Sequence, residues 1–233
     1  MKRYPWCHFP PVWIHSSVAE VKNHPDYTAA KSGDSDAAYL LVNELASLAV
    51  GHALKSAFPE RPTLVSAHAI ERDGVNAIPE ALAEFLAEQL DWPVDHGVVQ
   101  SNIVGHTGAD GFTRLARQAE FAGAIEAGSS YFLVDDFVGQ GGTLANLRGF
   151  IMGRGGEVCG ATVLTGKPGS AILSSEPSLH DELRCKHGDE LEIWWKSRFG
   201  FDYECLTHSE VNYLLRTPTA ERVRDRIAAA VED

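Results

Sequence analysis

With 233 residues, 44% of them hydrophobic, the chain is long enough for one α/β domain with an appendage, and 32 acidic against 20 basic side chains give it a formal net charge of -12. No lysine-arginine cluster interrupts that acidity, which disfavours non-specific binding to a nucleic-acid backbone and leaves any anionic ligand to backbone donors, Mg2+ and a few placed arginines. Cys7, Cys159, Cys185 and Cys205 stand far apart without a C-x-x-C pair, so they read as reduced thiols, and neither Cys7 with His8 nor Cys185 with His187 belongs to a four-ligand zinc spacing.

Residues 1–24 form an arm broken by Pro5, Pro10 and Pro11, which argues against a signal peptide or membrane span and for a strap packed through Trp6, Phe9 and Trp13. Ala37, Ala38, Leu41, Val42, Leu45, Leu48 and Ala49 recur at helical spacing, predicting one amphipathic helix over 34–57. A strand is predicted over 63–70, a polar loop over 71–76 and a helix over 79–90. The stretch 94–104 reads as a second strand region. Gly105, Gly108 and Gly111 beside His106, Arg114 and Arg117 then predict a mobile loop, the alternative being a short helix that turns Leu115 inward and leaves both arginines in solvent.

The chemistry concentrates in 131–147, YFLVDDFVGQGGTLANL. An apolar run ends in Asp135 and Asp136; Gly139, Gln140, Gly141 and Gly142 follow, and Thr143 opens a helix predicted to reach Met152. Glycines let backbone N–H groups approach an anion, and a helix N-terminus adds unpaired donors, so a phosphate suits the loop. Bare carboxylates repel phosphate unless they face a cation or accept hydrogen bonds from hydroxyls, and a phosphorylated sugar meets both demands. A Walker loop needs lysine where Thr143 follows Gly142, and a dinucleotide fingerprint needs glycine where Leu144 stands. A tight α/β turn explains the glycines but not the two aspartates.

A strand over 157–164 follows, and alternating strands and helices predict a parallel sheet with helices on both faces. Beyond Gly166 the chain turns polar and then aromatic. Trp194, Trp195, Phe199, Phe201 and Tyr203 either stack on a planar base or seal an accessory core, with the core favoured. Residues 207–210 fit a capping box, and Thr217 with Pro218 reads as the cap of a last helix.

The stretch 132–143 resembles the phosphoribosyl-pyrophosphate (PRPP) motif of type I phosphoribosyltransferases, and Thr-Arg-Leu-Ala-Arg-Gln with Phe-Ala-Gly in 113–123 resembles the competence-associated branch of that family. The resemblance implies a parallel-sheet phosphoribosyltransferase-type α/β fold, divided as an arm (1–24), the α/β domain (25–166) and a small helical C-terminal extension (167–233). It implies a cytoplasmic, Mg2+-dependent transferase that moves phosphoribose from PRPP to a nitrogenous base and releases pyrophosphate, or a non-catalytic PRPP- or nucleotide-sensing protein on the same scaffold. Asp135 and Asp136 would hold the ribose, Asp136 serving as base. Val138, Gly139, Gln140, Gly141, Gly142 and Thr143 would wrap the 5-phosphate. Arg114 would act at the reacting centre, Arg72 and Arg117 would take pyrophosphate, and Mg2+ would bind the substrate rather than a protein cage. A homodimer is the default assembly for such a fold, with neither nucleic acid nor membrane as partner.

Overall fold

The computed structural model describes the chain except residues 1, 68, 69, 72, 73, 105–109, 168 and 233, together with the side chains of 70, 71 and 232. Strand β1 (Trp13–Ser16) precedes helices α1 (Val18–Asn23), α2 (Tyr27–Lys31), α3 (Ser35–Leu45) and α4 (Leu48–Ala57). Strand β2 (Thr63–Ser66) leads through the hairpin β3–β4 (Ile70–Glu71, Gly74–Val75) and α5 (Ile78–Leu90) to β5 (Val94–Asp95). A second small antiparallel pair, β6 (Val99–Gln100) and β7 (Phe121–Ala122), brackets α6 (Gly111–Ala116). Then come β8 (Ser130–Val138), α7 (Gly142–Met152) and β9 (Glu157–Gly166), followed by α8 (Pro177–His187), α9 (Asp189–Phe199), α10 (His208–Arg216) and α11 (Ala220–Glu232).

The central sheet has five strands in the order β1-β9-β8-β2-β5, every neighbouring pair parallel. Side chains alternate across it. Val65, Leu133, Ala161 and Val163 face the core built with α7 and the N-terminal arm, whereas Leu64, Phe132, Val134 and Leu164 face the core built with α3, α4 and α5. The expected α/β architecture with helices on both faces is therefore present. Such a sheet is common to many α/β proteins and does not by itself assign a phosphoribosyltransferase fold.

The N-terminal arm and the first long helix differ from expectation. The arm is more than a strap, because Trp13–Ser16 forms the edge strand, in register with Thr162 to Thr165 of β9. The single helix over 34–57 is two, α3 and α4, bent by 81°. Ser47 makes the break: its side chain accepts from Val50 N and restarts the helix, while its own N–H donates to His15 Nδ1 at 3.0 Å. Among the described residues no single helix is long and apolar enough to cross a membrane.

His15 carries a consequence for stability. Burial pushes its imidazole down to about 4, so the fold holds it neutral. The unfolded chain takes up a proton from about pH 6.5 downward, so this contribution is intact at neutral pH and is lost progressively toward pH 4. The expected loss is about 3 kcal/mol by linkage. Urea denaturation of the wild type and His15→Gln across pH 4–7 should show a steeper acid decline in the wild type.

The aromatic segment is core. Trp195, Phe201 and Tyr203 are buried with Leu183, Leu191 and Val211, and Phe112 and Leu115 of α6 join the same cluster. Phe199 lies between Trp194 and Trp195, with ring centroids 6.4 and 4.4 Å away. This extension packs on the sheet domain through α6 and through the loop ahead of α7. The capping box at Thr207 and Glu210 is present, whereas the hydroxyl that caps α11 is that of Thr219, which accepts from Arg222 N.

Candidate functional site

Strand β8 carries both aspartates to the C-terminal edge of the sheet, the edge at which open parallel α/β sheets bind ligands. Asp135 and Asp136 are only 6% and 9% exposed. As consecutive strand residues they leave opposite faces. Asp135 Oδ1 accepts from the Asp136 N–H at 2.8 Å, and Asp136 Oδ2 pairs with Lys31 Nζ at 3.0 Å. Burial pushes the Asp135 carboxyl well above the usual carboxylate range, and the neighbouring Asp136 charge pushes the same way.

Val138 is buried, and its carbonyl accepts from Lys167 N at 3.1 Å. The loop glycines have a packing cause. Gly141 adopts φ +79° as the N-cap of α7, and a Cβ there would stand 2.5 Å from Leu173 Cδ2 and 3.3 Å from Thr207 Cγ2. A Cβ on Gly142 would meet Glu210 Oε1 at 3.0 Å. Thr207 Oγ1 donates to the Gln140 carbonyl at 2.5 Å. The loop thus seats the C-terminal helices. Gly141→Ala is expected to cost about 1–3 kcal/mol, from overpacking and an unfavourable φ, read as a lowered urea midpoint.

On the loop's other side, Arg114 Nη1 lies 3.1 Å from where a Gly139 Cβ would be. Both polar atoms of the Gln140 carboxamide are buried without a hydrogen-bond partner among the described residues. Gly141, the N-cap of α7, offers no side chain to the helix start at Gly142 and Thr143. The structure therefore brings Asp135, Asp136, Arg114 and residues 139–143 to one end of the sheet.

The remaining basic residues behave differently. Arg117 turns to the C-terminal helix, its Nε donating to the Ala230 carbonyl at 3.0 Å. Arg72 lies outside the described residues, as do residues 105–109 of the expected mobile loop, His106 among them. From Gly111 onward that stretch is helix α6, with Leu115 buried. Lys31 was not legible as a site residue, because nothing in the sequence marks a lysine at the end of a five-residue helix as the partner of an aspartate far along the chain. Arg3 was also missed. Its guanidinium pairs with Glu210 at 2.7 Å, both side chains 2% exposed, and its Nε donates to Asn146 Oδ1 of α7 at 2.6 Å.

Comparison with known proteins overturns the activity suggested by the motif. No protein-family model matches the chain. It is similar to Protein TraN of Escherichia coli, 38% identical over 230 residues, which is 98% of this chain and 51% of TraN. It is also similar to an uncharacterized protein of Haemophilus influenzae, 36% identical over 145 residues, 62% of this chain and 32% of that protein. The chain thus spans about half the length of TraN and about a third of the second relative.

Membership of the phosphoribosyltransferases does not hold, nor does the Mg-PRPP transferase activity or the transferase class drawn from it. The likeness to TraN runs through nearly the whole chain and names no transferase, while the motif is a short stretch whose Gly141 and Gly142 are accounted for by packing against Leu173, Thr207 and Glu210.

Proposed function

We propose that this chain is a non-catalytic binding module, serving the same process as Protein TraN, that holds a small hydroxyl-bearing phosphate ester with Mg2+ at the C-terminal edge of the sheet. The observation that carries the reading is the placing of Asp135, Asp136 and Arg114 around the glycine-rich start of α7 at the C-terminal edge of the sheet.

The neighbouring groups fit that ligand class. The α7 N-terminus offers backbone donors to the phosphate, and Arg114 beside Gly139 adds a cation. Asp136 supplies a hard carboxylate oxygen suited to Mg2+, and the Asp135 carboxyl, held well above the usual carboxylate range, suits a hydrogen bond with a hydroxyl group. Mg2+ would neutralise carboxylate and phosphate charge together, and no bond is made or broken. Binding to the folded state alone stabilises it by about 2.7 kcal/mol at a ligand concentration one hundred times Kd. A thermal-shift screen of phosphate esters with Mg2+ is expected to yield at least one compound that raises Tm in the wild type and not in Asp136→Asn. A screen in which every shift survives in that variant would refute the site.

A further inference from the structure

A second cluster of donors lies near the same edge of the sheet, where β2 and β5 end. Glu80 and Glu84 stand one turn apart on α5, so both side chains leave the same face of that helix. His96 follows β5 directly and places its ring against them, Nδ1 at 2.5 Å from Glu80 Oε1 and Nε2 at 3.3 Å from Glu84 Oε1. One donor atom from each of the three residues lies within 4.8 Å of the others. The second oxygen of Glu80 is already fixed, accepting from Ser66 Oγ at 2.6 Å.

We propose that Glu80, Glu84 and His96 form a binding site for a divalent first-row transition cation, Zn2+ being the best fit. One imidazole nitrogen and two carboxylate oxygens match the three-protein-ligand sets in which zinc keeps an open position. Ser66 plays the part of the outer-shell group that orients a ligating carboxylate. Glu80 and Glu84 also line a cavity of about 490 Å³ with Tyr39, Phe85 and Val75, so the two carboxylates border a space able to admit water or a small ligand. His96 distinguishes this cluster from an ordinary solvated acidic face: without it, two carboxylates one helical turn apart offer zinc no nitrogen donor. The site is separate from Asp135 and Asp136 and does not depend on the reading given to them.

The test uses the full chain with Cys7→Ser and Cys185→Ser, because those two thiols are exposed and would compete for the metal. Calorimetric titration with ZnCl2, and absorption titration with CoCl2, are expected to show one saturable site. His96→Ala should weaken it at least tenfold and Glu84→Gln severalfold, whereas His52→Ala, an exposed histidine away from the cluster, should leave it unchanged. Saturable binding that survives His96→Ala, or no binding beyond that of dispersed carboxylates, would overturn the proposal. Circular dichroism of each variant verifies that the fold is kept, so loss of binding reads as loss of the site.

Discussion

Arg3→Met is expected to destabilise the protein by about 3–5 kcal/mol, because it strands the Glu210 carboxylate in a site where both partners are 2% exposed. The pair joins three parts of the chain. Arg3 comes from the arm, Glu210 caps the first turn of α10 by accepting from Thr207 N at 2.9 Å, and Asn146 sits on α7. Arg3 also lies over the Phe201 ring, 4.7 Å from its centroid, so part of the loss is packing. The penalty of the single change comes mainly from the unpaired charge rather than from the net worth of the pair. Arg3→Met with Glu210→Gln should therefore recover at least half of the loss, since glutamine keeps a side-chain acceptor for Thr207 N and carries no charge. For a chain of this size a few kcal/mol corresponds to a Tm shift on the order of 10 °C. Chemical denaturation of the two variants decides the matter: a single-variant cost under about 1 kcal/mol would mean that the buried pair is screened in solution.

Asp135→Asn is expected to act in the opposite direction, stabilising the fold by about 0.5–2 kcal/mol at neutral pH while abolishing ligand binding, as at other sites where function is kept at a cost in stability. The sign follows from the raised folded value of Asp135, caused first by burial and then by Asp136. An unfolded aspartate ionises in the ordinary carboxylate range. Above that range the fold must either retain the proton or bury the charge, so the wild type loses stability relative to the variant as pH rises through the raised folded value. Below the ordinary range both states are protonated and the advantage of the variant disappears. Parallel denaturation curves at acid and neutral pH test this, and equal stabilities at both would contradict it. Asp136→Asn lacks such an advantage, because Asp136 pairs with Lys31 and its removal leaves that ammonium without this carboxylate.

The alternation of strand and helix, and the acidic pair at a strand end, could be read from the chain because both are local patterns: an apolar run closed by Asp-Asp, then glycines, then a helical period. Leu133 and Val134 in β8 illustrate the limit, since a continuous apolar strand announces a sheet buried on both faces but not which core each residue serves. The break at Ser47 was hidden because its partner, His15, lies 32 positions earlier. Lys31, Arg3 and Glu210 were illegible as site or clamp residues for the same reason, their partners being more than one hundred positions away. The glycines show a different failure. Gly141 and Gly142 fit tightly against Leu173, Thr207 and Glu210, and Gly139 lies against Arg114 and Phe137; a phosphate cradle would ask for the same residue type, and a sequence does not reveal which demand placed them. Two short stretches, 132–143 and 113–123, suggested a transferase, whereas the relationship extending through almost the entire chain is to a protein of another name.

The most direct measurement is calorimetric titration of the full chain with ribose 5-phosphate in the presence and absence of Mg2+, repeated with Asp135→Asn/Asp136→Asn. A hydroxyl-bearing phosphate ester at this edge of the sheet predicts one saturable site that requires Mg2+ and vanishes in the double variant while the fold persists. No heat of binding in the wild type, or an affinity unchanged by the double substitution, would contradict the account and leave the loop as the seat of the C-terminal helices alone.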